Sequence, residues 1–204
     1  MRSYKPYMRV GTGLWAFDKG GSMIELNLLD SLAERLRAVF KDYELPAKSG
    51  LLQTVKVFTQ YLPQPSGITL KAKSDTEAIV PQGYTSSDIE SNFPCVVVKV
   101  DESTDNEEGT LTQTRVKMRL LVGTYDDSPD CQGYRDVMNI IEVIRQDLET
   151  MPGRVLDGRY RLEMPLTHAL FEEQSWPIYF GQINTEWETG RPLMPRNFDM
   201  KHGG

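Results

Sequence analysis

The run TLTQTRVKMRLLVGTY, residues 110–125, alternates apolar and polar side chains and narrows the fold more than any other feature of the chain. Val116, Met118, Leu120 and Val122 share one face of an extended segment, and Arg115, Lys117 and Arg119 share the other. A period of two over this length excludes a helix. It requires a sheet with one apolar face, which something else must cover. The preceding stretch FPCVVVKVDES, residues 93–103, is rich in β-branched residues and reads as the partner strand. Between the two lies DESTDNEEG, whose Asp101, Glu102, Asp105, Glu107 and Glu108 form an acidic tip of charge −5 ending at Gly109. Two strands around one turn predict a long antiparallel hairpin.

Two segments have the spacing to cover that sheet. From Met23 to Phe40, the residues Leu26, Leu29, Ala33, Leu36 and Phe40 recur at three- and four-residue steps, with Pro46 and Gly50 closing the segment. From Tyr134 to Glu149, the residues Val137, Ile140, Ile141, Ile144 and Leu148 form a second stripe, stopped by Pro152 and Gly153. LLQTVKVFTQYL, residues 51–62, reads as one strand. Two further partly alternating runs, GRYRLEMPLTHALFEE and WPIYFGQINTEWE, each hold a proline and read as two more. The order predicts an α+β fold, a mostly antiparallel sheet with two amphipathic helices packed on one face. Residues 23–193 form the single domain. Residues 60–93 are a long polar excursion in which Ile68–Ala72 reads as a short strand, and 194–204 are a tail without period.

The leader, residues 1–22, carries Arg2, Lys5, Arg9 and Lys19 against Asp18, a net +3, while the whole chain carries −6. Its aromatic residues Tyr4, Tyr7, Trp15 and Phe17 sit among glycines without helical or strand period, which fits either a floppy leader upstream of the core or an arm that orders on a neighbouring subunit. The acidic balance argues against a protein that grips nucleic acid through a basic surface. No run reaches the length of a membrane-spanning helix, and the start has no apolar core of a secretory signal. Two cysteines, Cys95 and Cys131, are too few for a disulfide framework, so a reducing compartment is expected.

Catalytic patterns are absent from the sequence: there is no GxSxG, no phosphate loop, no GxGxxG after a strand and no HExxH. Gly11-Thr12-Gly13 has no strand and helix around it. His168, near Glu172 and Glu173, supplies one imidazole where a zinc site needs three or four ligands, and reads as a polar strand residue. Asp126, Asp127 and Asp130 suit a divalent ion, and through it a metal-dependent nuclease, but they stand before a helix, where capping is the simpler role. The expectation is no catalytic residue, no metal and no cofactor. Arg115, Lys117 and Arg119 make a basic row about 13 Å long at strand rise. It pairs either with Asp101 and Glu102 across the hairpin or with the acidic tip of another subunit. The second contact is heterologous, and such contacts close into rings.

Two stretches carry a family likeness. LVGTYDDSPDCQGYRDVMNIIEVIRQDLE joins a Gly-Thr-Tyr-Asp strand end to a Gln-Gly-Tyr-Arg-Asp helix start. GRYRLEMPLTHALFEEQSWPIYFGQINTEWE places a proline–aromatic–Phe-Gly strand before Thr-Glu-Trp-Glu. Together they resemble the tail-terminator, or tail-completion, proteins of long-tailed double-stranded DNA bacteriophages. The likeness runs from about Met23 to Leu193, is specific in the second half and does not extend to the leader. It implies a non-enzymatic virion part, made in the host cytoplasm and placed at the tail–neck junction. It also implies a ring, typically a hexamer, that caps the tail tube and stops its growth. Its partners are then other copies of itself, the tail tube protein, a head-side connector or head-completion protein, and genome DNA passing through the lumen without sequence reading. A head-closure protein of the same neck is the alternative. A conduit requires weak affinity for phosphate, so the Asp101–Glu108 tip is expected to line or rim the lumen.

Overall fold

The apolar row on residues 116–122 does meet a cover, and the cover consists of two helices. The structure, a computed structural model, describes residues 24–47, 50–63, 91–108, 111–174 and 176–191. Helix α1 spans Ile24–Val39. It is followed by three short strands, β1 (Glu44–Pro46), β2 (Leu52–Thr54) and β3 (Lys56–Thr59). The hairpin is β4 (Cys95–Glu108) and β5 (Leu111–Tyr125). Helix α2 (Gly133–Thr150) comes next, then a 3-10 turn at Pro152–Arg154, β6 (Val155–Leu156), β7 (Tyr160–Leu170) and β8 (Ile178–Arg191). Six strands form one sheet in the order β3-β4-β5-β8-β7-β6, and β1 pairs with β2 apart from it. Every pair in the large sheet is antiparallel except β3–β4, where Lys56 to Thr59 run parallel to Cys95 to Val98. This is the expected α+β architecture.

The inner face is built from alternate residues. Val96 and Val98 of β4, Val116, Met118, Leu120 and Val122 of β5, and Ile183 and Trp187 of β8 are all buried. Onto them α2 lays Val137, Ile140, Ile141, Ile144 and Leu148, the five residues of the predicted stripe. Truncating one such leucine or isoleucine to alanine costs about 2–5 kcal/mol. Trp187 keeps its polar atom satisfied inside this core: Nε1 donates to Thr185 Oγ1 at 2.8 Å, and Thr185 Oγ1 donates to the Met118 carbonyl at 3.4 Å.

Helix α1 corrects one expectation. Its buried face is Ile24, Leu28, Leu29, Leu32, Ala33 and Leu36, while Leu26 is 44% exposed. Steps of three and four fit two overlapping stripes on a leucine-rich helix, and packing selects the one containing Leu28 and Leu32. Ser103 Oγ donates to Glu25 Oε1 at 2.7 Å, and Arg37 Nη2 donates to the Val57 carbonyl at 3.3 Å, so α1 runs antiparallel to β4. Arg35 ties α1 to α2 with a fork on Asp147, Nε to Oδ2 at 2.6 Å and Nη2 to Oδ1 at 2.9 Å.

Two other expectations change. LLQTVKVFTQYL is not one strand: it breaks at Val55, with β2 pairing to β1 and β3 to β4. The acidic segment is not a loop. Both strands continue through it, pairing Glu102 with Lys117, Thr104 with Arg115 and Glu108 with Leu111. The leader, the proposed strand at Ile68–Ala72 with most of the excursion, and the C-terminal tail lie outside the described residues.

Candidate assembly surface

Since both helices sit on the inner face, they leave the outer face of the sheet uncovered. It has two halves. On one, the basic row is compensated within the chain. Arg119 Nη2 lies 2.6 Å from Asp101 Oδ2, Lys117 Nζ 2.7 Å from Glu102 Oε2, and Arg115 Nη1 3.8 Å from Glu186 Oε1. Arg161 of β7 continues the pattern, donating to Glu163 at 2.8 Å and to Glu188 at 2.7 Å. A β-bulge between Val100 and Glu102 turns Asp101 toward this row. The hydrogen bond and charge of Lys117 hold the Glu102 carboxyl below the usual range, and Glu102 raises the Lys117 ammonium in return. Of the two partners considered for the row, the described structure contains the one within the hairpin. Exposed pairs of this kind contribute little to stability, so they are exchangeable for contacts with another chain.

The other half is apolar. Phe93, Cys95 and Tyr125 form a second buried cluster, packed by Phe58, Leu62, Ile178 and Phe180. Phe93 meets Phe180 edge-on with centroids 5.8 Å apart, and Phe171 lies 6.2 Å from Phe180. The chain leaves room for this at Gly123, where a Cβ would fall 2.4 Å from the Phe93 ring. Between these residues and Tyr61, Val97 and Leu121 opens a groove of about 360 Å³, with Lys99 Nζ over the Tyr61 ring at 5.6 Å. Burial pushes the Cys95 thiol in its wall up to about 12, so this sulfur is not a nucleophile.

The sequence reading missed this half. Its signal was present in PCVVV, an apolar run without alternation, which marks a strand covered on both faces. Leu121 and Phe180 likewise stand at outward positions of their strands.

The aspartates before α2 take other roles than those expected. Asp126 Oδ1 accepts from Ser128 N at 3.0 Å and from Ser128 Oγ at 2.5 Å, which shapes a turn. Asp127 Oδ2 accepts from Tyr125 Oη at 3.5 Å. The residue at the helix cap is Gln132, which makes no side-chain capping bond; its Nε2 donates to the Asp130 carbonyl instead. Capping by the aspartates is therefore corrected to turn formation. His168 is an exposed residue of β7 opposite Ile183. Among the described residues no group of three or more His, Cys, Asp or Glu could hold a metal ion, and no helix is long and apolar enough to cross a membrane. Tyr4, Tyr7, Trp15 and Phe17 lie outside the described residues. Glu107 and Glu108 are placed by their backbone at the end of β4.

A scan against protein-family models finds no match, and a search of curated proteins finds none either.

Proposed function

We propose that the chain is a structural, non-enzymatic subunit of a phage virion, acting as a tail terminator at the head–tail junction. In this reading copies assemble into a ring, a hexamer, that caps the last ring of the tail tube and ends its polymerisation. The ring presents a surface to the head-side connector, and genome DNA passes through its lumen. The observation that carries the reading is the one-sided sheet: two helices cover one face, while the other keeps an exchangeable ion-pair field beside an apolar groove. A surface divided in this way suits contact with neighbours. The likeness of residues 121–149 and 158–188 to tail terminators supplies the identity of those neighbours. The acidic end of β4 suits a position at the lumen, where attraction to phosphate would retard the passing strand.

The test is the mass of the purified chain by light scattering, alone and with pre-formed tail tubes, with negative-stain images of both. The expected result is a ring alone or a cap on tube ends that stops further growth. A monomer that ignores tubes and binds portal–adaptor complexes instead moves the assignment to head closure.

A further inference from the structure

The apolar groove on the outer face stays open in the described chain, with Tyr61 76% exposed and Phe171 38% exposed on its rim. A concave, mostly apolar groove of this size is the form in which a surface takes up an anchoring side chain. The geometry points to its occupant: the leader, residues 1–22, of a second copy of this chain, which places aromatic side chains from Tyr4, Tyr7, Trp15 and Phe17 in the groove. This inference rests on the ring-forming reading above and names one contact that builds the ring.

Three observations support it. The leader is rich in the side chains that such a groove takes up, since aromatics bury large apolar area at low entropic cost. Its root is also fixed. Glu25, in the first turn of α1, accepts from Ser103, which lies six residues along β4 from Val97 in the groove wall, about 20 Å at strand rise. Finally, α1 runs from Ser103 back toward Val57, so its N-terminus stands at the end of β4 remote from the chain's own groove and on the covered side of the sheet. The leader is therefore rooted about 20 Å along β4 from its own groove and on the opposite side of the sheet, a separation that favours a neighbour's groove without depending on reach alone. Fully extended, 22 residues reach about 75 Å, enough to cross to a neighbour. The leader of one copy in the groove of the next is a head-to-tail contact, which closes into a ring when the rotation permits.

The experiment uses the full chain and compares masses by light scattering over a range of concentrations, alone and on tail tubes. One variant carries Tyr4, Tyr7, Trp15 and Phe17 each changed to Ser, which removes the donor. Leu121→Glu removes the acceptor, and Tyr61→Glu, at an exposed rim position, does so with little risk to folding. Each variant is expected to associate at least tenfold more weakly than the unmodified chain. A mixture of the donor-less and acceptor-less variants is expected to form one-to-one dimers, because each retains the half that the other lacks. Variants that assemble like the unmodified chain, or a mixture without dimers, overturn the groove assignment while leaving the ring reading intact. An unmodified chain that stays monomeric alone and on tubes overturns both.

Discussion

Helix α2 lies against β8 at a position where the sheet has no side chain. A Cβ built on Gly181 would fall 2.7 Å from Val137 Cγ1, 3.0 Å from Ile141 Cδ1 and 3.1 Å from the Ala169 carbonyl oxygen. Carbon atoms pack at about 3.5–4.0 Å, so Gly181→Ala requires about 1 Å of movement. The end of Ile141 can swing away, but Val137 is stiff about χ1 and the carbonyl is backbone. The helix must lift, and a gap approaching 1 Å forfeits up to about half the dispersion energy of each contact along its stripe. Overpacking of this kind costs about 1–3 kcal/mol, and about 0.4–1 kcal/mol returns because alanine restricts the unfolded chain. The expected net loss is about 1–2 kcal/mol, a fall in Tm of about 2–8 °C for a chain of this size. Urea unfolding followed by tryptophan fluorescence measures it, and Val137→Ala completes the cycle. The smaller side chain makes room for the new methyl, so the double variant should be at least about 1 kcal/mol more stable than the sum of the single losses predicts. A Gly181→Ala protein as stable as the parent, or strict additivity with Val137→Ala, would refute the close-approach argument.

Three further outcomes are expected. Asp147→Ala removes the two-pronged, partly buried partner of Arg35 and should cost about 1–2 kcal/mol in urea unfolding, more than an exposed ion pair contributes. The Asp136 carboxyl is raised, first by burial and then by Asp126, so its ionised form is disfavoured in the fold; the associated stability is present while the group is protonated and is lost as pH rises through its raised pKa. Asp136→Asn should therefore change Tm little at about pH 3 and raise it at about pH 7, and an equal effect at both would sink the assignment. A disulfide reagent should label Cys131 rapidly in the native protein and Cys95 only on unfolding, as mass spectrometry of labelled peptides would show.

Legibility of the fold in the sequence followed the strength of its periods. The row Val116, Met118, Leu120, Val122 and the stripe from Val137 to Leu148 were readable because each period repeats often enough to fit one geometry only. Leu26 was misplaced because a shorter run of leucines fits two helical registers, and only contact with β3 and β4 decides between them. The acidic segment was misread for a different reason. Asp, Glu, Asn and Ser are common in turns, but a hairpin extends as far as its backbone partners continue, and residues 112–115 continue the pairing. Of the candidate surface, the ion pairs of Lys117 and Arg119 were foreseen as one of two options. The groove was not, because attention to a single apolar face hides a strand that is covered on both.

The parallel pairing of β3 with β4 determines how this chain can be re-engineered. Antiparallel neighbours can be joined by a two-residue turn, but parallel ones cannot, since the chain must return to the starting end before entering the second strand. Residues 60–94 are thus a crossover, whatever else they do, and part of their length is obligatory. A replacement of residues 64–90 by about ten glycines and serines leaves the return path open and should preserve the edge of the sheet. A tight turn in the same place would force β3 to reverse, and reversal would remove the parallel register that sets Lys56 to Thr59 beside Cys95 to Val98. A change in linker length alone would in that case rewrite the backbone pairing at this edge, without any substitution in the strands themselves.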